Sequence, residues 1–167
     1  MSNLKAPFPY FGGKSRVAPL LWEYFGDVAN YVEPFFGSGA VLLSRPGWSP
    51  DASRLETVND QHGMIPNFWR AVQGDPEAVA HHADWISSEC DLHARHAWLT
   101  THKDSLQVEL EGDPDYYDAK VAGWWVWGMS QWIGGGFCSG AGPWQQIDGK
   151  LVHLGSAGQG SAGTGEQ

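Results

Sequence analysis

A predicted strand, Asn30-Tyr31-Val32, runs into the glycine turn Gly37-Ser38-Gly39 and then into a short apolar helix, Ala40-Val41-Leu42-Leu43. A second predicted strand, Glu56-Thr57-Val58, closes on Asn59-Asp60 and sets a carboxylate 21 residues after Gly39. Few folds accept that order. Glycines let the backbone approach a ligand, a helix amino end offers unpaired N–H groups, and an acid at this separation suits ribose hydroxyls. A lone G-x-G turn serves strand-to-helix geometry just as well, so the strands and the acid around it carry the reading: a nucleoside-binding unit of an α/β sheet.

Two departures argue against a nicotinamide or flavin site. The position three after Gly39 is Leu42, so the third glycine of a dinucleotide fingerprint, which permits close helix-to-strand packing, is absent. Glu33 stands just before the turn. A carboxylate there repels a pyrophosphate and suits a cofactor with a cationic centre, such as S-adenosylmethionine.

The segment PYFGGK at 9–14, followed by VEPFFGSGA at 32–40 and by Asn59-Asp60, resembles the amino-terminal half of the DNA N6-adenine methyltransferases, in the branch whose cofactor segments precede the catalytic one. The resemblance spans residues 8–60. It implies an α/β, Rossmann-like S-adenosylmethionine-dependent methyltransferase fold, present in part, with a helical insertion. Residue by residue it implies a cofactor site made of Tyr10, Gly12, Gly13, Lys14, Glu33, Pro34, Phe35, Gly37, Gly39 and Asp60. Tyr10 and Phe35 flank the cofactor in this reading, Lys14 and the helix amino end after Gly39 hold its carboxylate, and Asp60 holds its ribose. No metal is expected.

Residues 116–144, YYDAKVAGWWVWGMSQWIGGGFCSGAGPW, are similar in a looser way to the Trp-rich helix and glycine loop of viral-type members of that family. The family pattern then demands a [DNS]-P-P-[YFW] catalytic loop, and the 167 residues contain none. The nearest candidate is Asp113-Pro114-Asp115-Tyr116, in which Asp113, Pro114 and Tyr116 match. A catalytic loop of this kind follows a buried parallel strand, which reads as a near-continuous apolar run. Here the preceding Leu106-Gln107-Val108-Glu109-Leu110-Glu111 carries two carboxylates. Asp113-Pro114 reads instead as a helix start, cap then first-turn proline, with Asp115 and Asp118 favouring the same end.

Charge bears on the DNA expectation. The chain carries a net −9, whereas phosphate binding is usually supplied by Lys and Arg. Residues 1–70 hold six basic and six acidic side chains, and 75–118 hold two and eleven. Either that middle segment faces away from double-stranded DNA, or the DNA-gripping part of the protein is not in this chain. The amino terminus has no apolar run of signal-peptide length and no segment approaches a membrane span, so the cytoplasm is the expected location. Cys90 and Cys138 are too few for a disulfide framework.

Four segments are expected: a cofactor-binding α/β portion at 1–62, a helical insertion at 63–112, a Trp-rich helix and Gly-rich loop at 113–154, and a disordered tail at 155–167, GSAGQGSAGTGEQ, too poor in apolar surface to fold. Val17, Leu20, Leu21, Tyr24 and Phe25 make one face of a helix that Gly26 ends and that is expected to pack on the sheet. Further helices are expected at Met64 to Gln73, Pro76 to Ser87, Leu92 to Leu106 and Asp115 to Ile133. The last carries Trp124, Trp125, Trp127 and Trp132, which serve either as core or as a platform for a flipped base. The glycine-rich run from Gly134 to Trp144 is a candidate ligand-touching loop or a plain connection. Cys90, His93 and His96 fan around a helix at i, i+3, i+6 with no partner pair, which disfavours zinc, and His81-His82 fares no better.

The resemblance implies site-specific adenine-N6 methylation of DNA, of the kind found in restriction-modification. Two rival readings stand beside it: a non-catalytic S-adenosylmethionine-binding fragment, or one part of a split methyltransferase whose complementing polypeptide carries the catalytic loop; and a nucleotide-binding module with no methyl chemistry.

Overall fold

The computed structural model describes residues 4–10, 12–47, 53–132 and 136–139, and the backbone of two short strands at 144–147 and 150–153. The expected tail at 155–167 and most of the loop from Gly134 to Trp144 lie outside the described residues.

Helix α1 (Ala18–Phe25) starts with a proline in its first turn and stops at Gly26, whose φ of +63° lets its N–H return to the Trp22 carbonyl. Strand β1 (Asn30–Glu33) leads into the glycine turn and the single-turn helix α2 (Ala40–Leu43), and strand β2 (Leu55–Val58) returns beside β1. The two strands pair in parallel, Asn30 opposite Leu55 and Glu33 opposite Val58. Such a pairing requires a crossover, and α2 lies within it.

The expected packing face of α1 is not the one the structure uses. Of that face Leu21 packs, partly buried, against the core there, while Val17, Leu20, Tyr24 and Phe25 are exposed, Tyr24 at 80%. Ala18 and Trp22 are buried instead, and Trp22 packs on Tyr31 of β1 and on Val41 of α2. Its indole N–H donates to the Val41 carbonyl at 2.7 Å. A tryptophan that buries its ring and satisfies its N–H outweighs a stripe of smaller apolar side chains, so α1 turns to suit Trp22. Arg45 then ties the unit together: its guanidinium binds Glu56 of β2 at 2.7 Å, donates to the Val28 carbonyl and lies 5.2 Å over the Trp22 ring.

Four helices follow: α3 (Met64–Gly74), α4 (Pro76–Ala83), α5 (Glu89–Gly112) and α6 (Ala119–Gln131). Asp75 caps α4 by accepting from Ala78 N, and Ser88 caps α5 by accepting from Asp91 N. Helix α4 ends before the expected Ser87, and α5 runs past Leu106 as far as Gly112. The run Leu106 to Glu111 is therefore helical, with Leu106 and Leu110 on its buried side. Asp113 closes α5 at its carboxyl end rather than opening the next helix, a correction to the expected helix start. The cap of α6 is Asp118, whose side chain accepts from Val121 N at 2.8 Å. Buried Asn67 of α3 clamps that cap, donating to the Asp118 carbonyl and accepting from its N–H at 2.9 and 2.7 Å. Residues 114–118 lie outside any helix, and at their start Asp113 Oδ1 accepts from Asp115 N, an Asx turn that competes with helix.

One hydrophobic core joins Phe8 and Phe36 from the amino-terminal portion to α3, α4, α5 and α6 and to Phe137 and Cys138. Trp125 and Trp127 are buried, and Trp124 and Trp132 pack against that core. The Trp-rich helix is core rather than an open platform. Strands β3 (Trp144–Ile147) and β4 (Lys150–His153) form an antiparallel hairpin that the sequence expectation lacks. Asp148-Gly149 between them is the sequence signal for such a turn.

Candidate cofactor site

At the carboxyl ends of the parallel strands the chain turns sharply. In an open α/β sheet this is where ligands bind. The Glu33 carbonyl accepts from Asn59 N and the Asn59 carbonyl accepts from Phe36 N, both at 2.9 Å, so the two post-strand loops are stitched together. Asp60 adds a second stitch: Oδ2 accepts from Gly37 N at 2.8 Å and Oδ1 from His62 N at 3.1 Å. The acid thus shapes the glycine turn from 23 residues away. Gly37 has φ +55°, and a Cβ there would sit 2.9 Å from the Tyr10 ring, so this position requires glycine on both counts.

Two cavities open here. The first, about 370 Å³, is lined by Tyr10, Gly12, Gly13, Lys14, Phe35, Phe36, Gly37, Ser38 and Asp60. The second, about 360 Å³, is lined by Val58, Asn59, Asp60, Ile65, Pro66, Trp69, Arg70, Gln73 and again Phe36. Phe36 and Asp60 form the wall they share. Each is at the small end of ligand-site volumes, and the pair together reaches the range for a nucleoside-sized ligand.

Seven of the ten residues expected at a cofactor site line the first cavity: Tyr10, Gly12, Gly13, Lys14, Phe35, Gly37 and Asp60. Glu33, Pro34 and Gly39 do not. Glu33 is buried behind the wall, where Lys14 Nζ meets its Oε1 at 2.5 Å and the Tyr31 hydroxyl donates to its Oε2 at 2.8 Å. Burial, with the Glu33 hydrogen bond and charge, holds the Tyr31 phenol well above its ordinary range. The charge of Glu33 is therefore matched internally and is not presented to a bound cation. Gly39 is the left-handed residue (φ +67°) that precedes α2, hemmed in by the Phe36 and Trp69 rings. The Pro34 carbonyl accepts from the Asn59 side chain. Lys14 also donates to the Phe35 carbonyl at 2.5 Å, which leaves one of its three ammonium protons for a ligand.

Sequence reading missed the second cavity. Pro66, Trp69, Arg70 and Gln73 fall at i, i+3, i+4 and i+7 and share one face of α3, a mixed aromatic and polar stripe that periodicity could have isolated. Trp69 bridges the two halves: its ring tilts over Phe36 at 5.3 Å and its N–H reaches the Gly37 carbonyl at 3.4 Å. Arg70 points to the end of α5, donating through Nη1 to the carbonyls of Leu110, Asp113 and Tyr116. That contact ties Asp113-Pro114-Asp115-Tyr116, which follows helix α5, to α3 rather than to a strand end.

Titratable groups near the site are shifted toward neutrality. Burial, then the charge of Asp60, raises the Tyr10 phenol. Burial lowers the His62 imidazole, whose Nδ1 has no hydrogen-bond partner among the described residues. Next to it Cys138 sits at φ 60°, and burial lifts its thiol to about 12, too high for a nucleophile. His96 is buried against Trp132, ring on ring at 4.9 Å, while Cys90 and His93 are exposed. No helix among the described residues is long and apolar enough to cross a membrane.

What the site offers chemically is a glycine-lined, aromatic-walled groove with one carboxylate at its centre and one ammonium at its end. No curated protein and no solved structure matches the chain. The model of one family does, that of the D12 class N6 adenine-specific DNA methyltransferases, over residues 10–111. The match begins at Tyr10, takes in both cavities and covers more than half of the sequence: this chain belongs to the D12 class N6 adenine-specific DNA methyltransferase family.

Proposed function

We propose that the chain binds S-adenosylmethionine across the two cavities and serves site-specific methylation of adenine N6 in double-stranded DNA. The observation that carries this reading is the pair of cavities meeting at Asp60, at the carboxyl ends of two parallel strands. Lys14 would take the carboxylate of the methionine end, and the free lone pairs of Asp60 would accept from the ribose. The faces of Phe36 and Trp69 would meet the adenine. When bound, the cofactor supplies an electrophilic methyl group. The protein's part is to orient it and to exclude water, with the Tyr10 and Phe36 rings as walls. With Glu33 matched by Lys14, preference for a cationic sulfonium comes from Asp60 and the aromatic faces.

The surrounding fold reads as a partial Rossmann-like sheet with an attached helical layer. Asp113, Pro114 and Tyr116 are not assigned to catalysis, because their loop follows α5 and its Asp113 carboxylate already accepts from Asp115 N. With no [DNS]-P-P-[YFW] in these residues, a second reading is kept: the chain is the cofactor-binding part of a methyltransferase whose catalytic loop is carried by a further polypeptide. Calorimetric titration with S-adenosylmethionine, S-adenosylhomocysteine and NAD tests the cofactor assignment. Either methyl-cycle nucleoside is expected to bind more tightly than NAD; the reverse order would overturn it.

A further inference from the structure

Cys138, at φ 60°, is the one non-glycine residue with a left-handed backbone among the described residues. A side chain holds that conformation only where its surroundings over-determine it, and such positions cluster at functional sites. Here packing fixes it. Phe137 fills a notch that Gly128 leaves in α6, where a Cβ would stand 2.2 Å from the ring, and it meets Trp132 and His96 at 5.3 and 5.2 Å. Ser139 N and Oγ both donate to the Gly136 carbonyl, at 2.9 and 2.8 Å, and close the turn. Phe137 and Cys138 are both buried.

This turn stops against the loop that carries the acid of the cofactor site. The His62 imidazole meets the Cys138 backbone and lies 6.2 Å from the ring of fully buried Trp125. The His62 amide donates to Asp60 Oδ1, and Asp60 Oδ2 accepts from Gly37 in the wall of the first cavity. One residue thus touches the strained turn with its side chain and the acid with its backbone.

We propose that His62 is a positioning residue for the cofactor site: it leans on the Gly136–Ser139 turn and so fixes the aim of the Asp60 carboxylate, which couples occupancy at Asp60 to the closure of that turn. A nucleoside held by Asp60 then tightens the turn, and opening of the turn weakens the nucleoside. The two effects are one coupling free energy read from its two ends. A strained turn suits this role because it has a second arrangement to adopt: once Phe137 leaves its notch, Cys138 relaxes out of the left-handed region and the His62 ring loses its stop. That the nucleoside is S-adenosylmethionine rests on the function proposed above; the link between Asp60 and the turn does not.

The link is tested first without cofactor. In the full chain with the exposed Cys90 replaced, Cys90→Ser, alkylation of the buried Cys138 thiol by iodoacetamide reads the opening of the turn. Asp60→Ala should speed it about fivefold or more. Asp75→Ala, which removes the cap of α4 elsewhere in the fold, should not. Equal rates with and without Asp60→Ala, or equal acceleration by Asp75→Ala, would overturn the proposal. Calorimetry with S-adenosylmethionine reads the other end. His62→Ala keeps the backbone bond to Asp60, yet it should weaken binding about fivefold or more. Saturating S-adenosylmethionine should slow Cys138 alkylation by a similar factor in the His62 chain and leave it unchanged in His62→Ala. His62→Gln, which keeps a side-chain donor, should recover part of both. A His62→Ala chain that binds S-adenosylmethionine as tightly as the parent would overturn the proposal too. Absence of binding to the parent chain would refute the cofactor reading instead, and the alkylation rates without cofactor would still decide the link.

Discussion

Asp60 holds the site at the smallest scale. Its carboxylate accepts from the Gly37 and His62 amides, and the same oxygens retain lone pairs that a ribose could use. Spacing from the glycine turn is enough to nominate this acid, but not to show that it shapes the turn, since that requires knowing which loop residues the strand register brings together. The same blindness affects Glu33 and Lys14. Each is legible as a site residue, yet that they neutralise one another is a fact of packing. Asp60→Ala is expected to lower stability by about 1–3 kcal/mol, since two amides lose their acceptor, and to weaken S-adenosylmethionine binding as well. Asp60→Asn keeps one acceptor oxygen and should lose less of both. Urea denaturation and calorimetry on the two variants check this; an Ala variant with wild-type stability would show that the clasp contributes nothing to the fold.

Among the elements, those legible in the sequence are those set by local chemistry. Strand β1, the turn, α2 and β2 follow from β-rich runs around glycine, and α4 follows from Asp75-Pro76. What failed was orientation and extent. Helix α1 obeys Trp22 instead of its longer apolar stripe, and α5 persists through Gln107, Glu109 and Glu111 because Leu106 and Leu110 still reach the core. Helix α6 fits its neighbours through Gly123. A Cβ there would lie 2.6 Å from the Val79 carbonyl and 3.0 Å from the Ala83 amide of α4, both backbone atoms that cannot swing aside. Glycine to alanine inside a helix ordinarily stabilises by about 0.5–1 kcal/mol. Here the sign should reverse: Gly123→Ala is expected to destabilise by about 1–3 kcal/mol as α4 and α6 are forced apart, read as a lowered denaturation midpoint. A stabilised variant would mean that the two helices do not pack this closely. Beside this contact Arg95, buried on α5, lies 4.4–5.0 Å from the Trp85, Trp124 and Trp127 rings, an arrangement no local pattern in the sequence announces.

At the scale of the whole molecule the balance of charge bears on how the chain meets DNA. The acidic excess lies in 75–118, which is almost wholly the helical layer of α4 and α5, while the cofactor groove sits in the charge-balanced part before residue 70. DNA phosphates are repelled by the first and offered little by the second. Transfer to N6 further needs an acceptor for the exocyclic amine and an aromatic face for the extruded base. Trp124, Trp125, Trp127 and Trp132 could have served as that face on sequence grounds, but they pack in or against the core. Purified residues 1–167 are therefore expected to bind cofactor, to bind duplex weakly at physiological salt, and to incorporate no tritiated methyl groups into unmethylated DNA. Running Asp113→Ala in parallel makes the result diagnostic. Incorporation that vanishes in that variant would make Asp113-Pro114-Asp115-Tyr116 the catalytic loop despite its place after α5. Incorporation that survives would put the chemistry elsewhere in the chain, with the Gly134 to Trp144 loop, whose Phe137 and Cys138 already reach the core beside His62, the first segment to mutate.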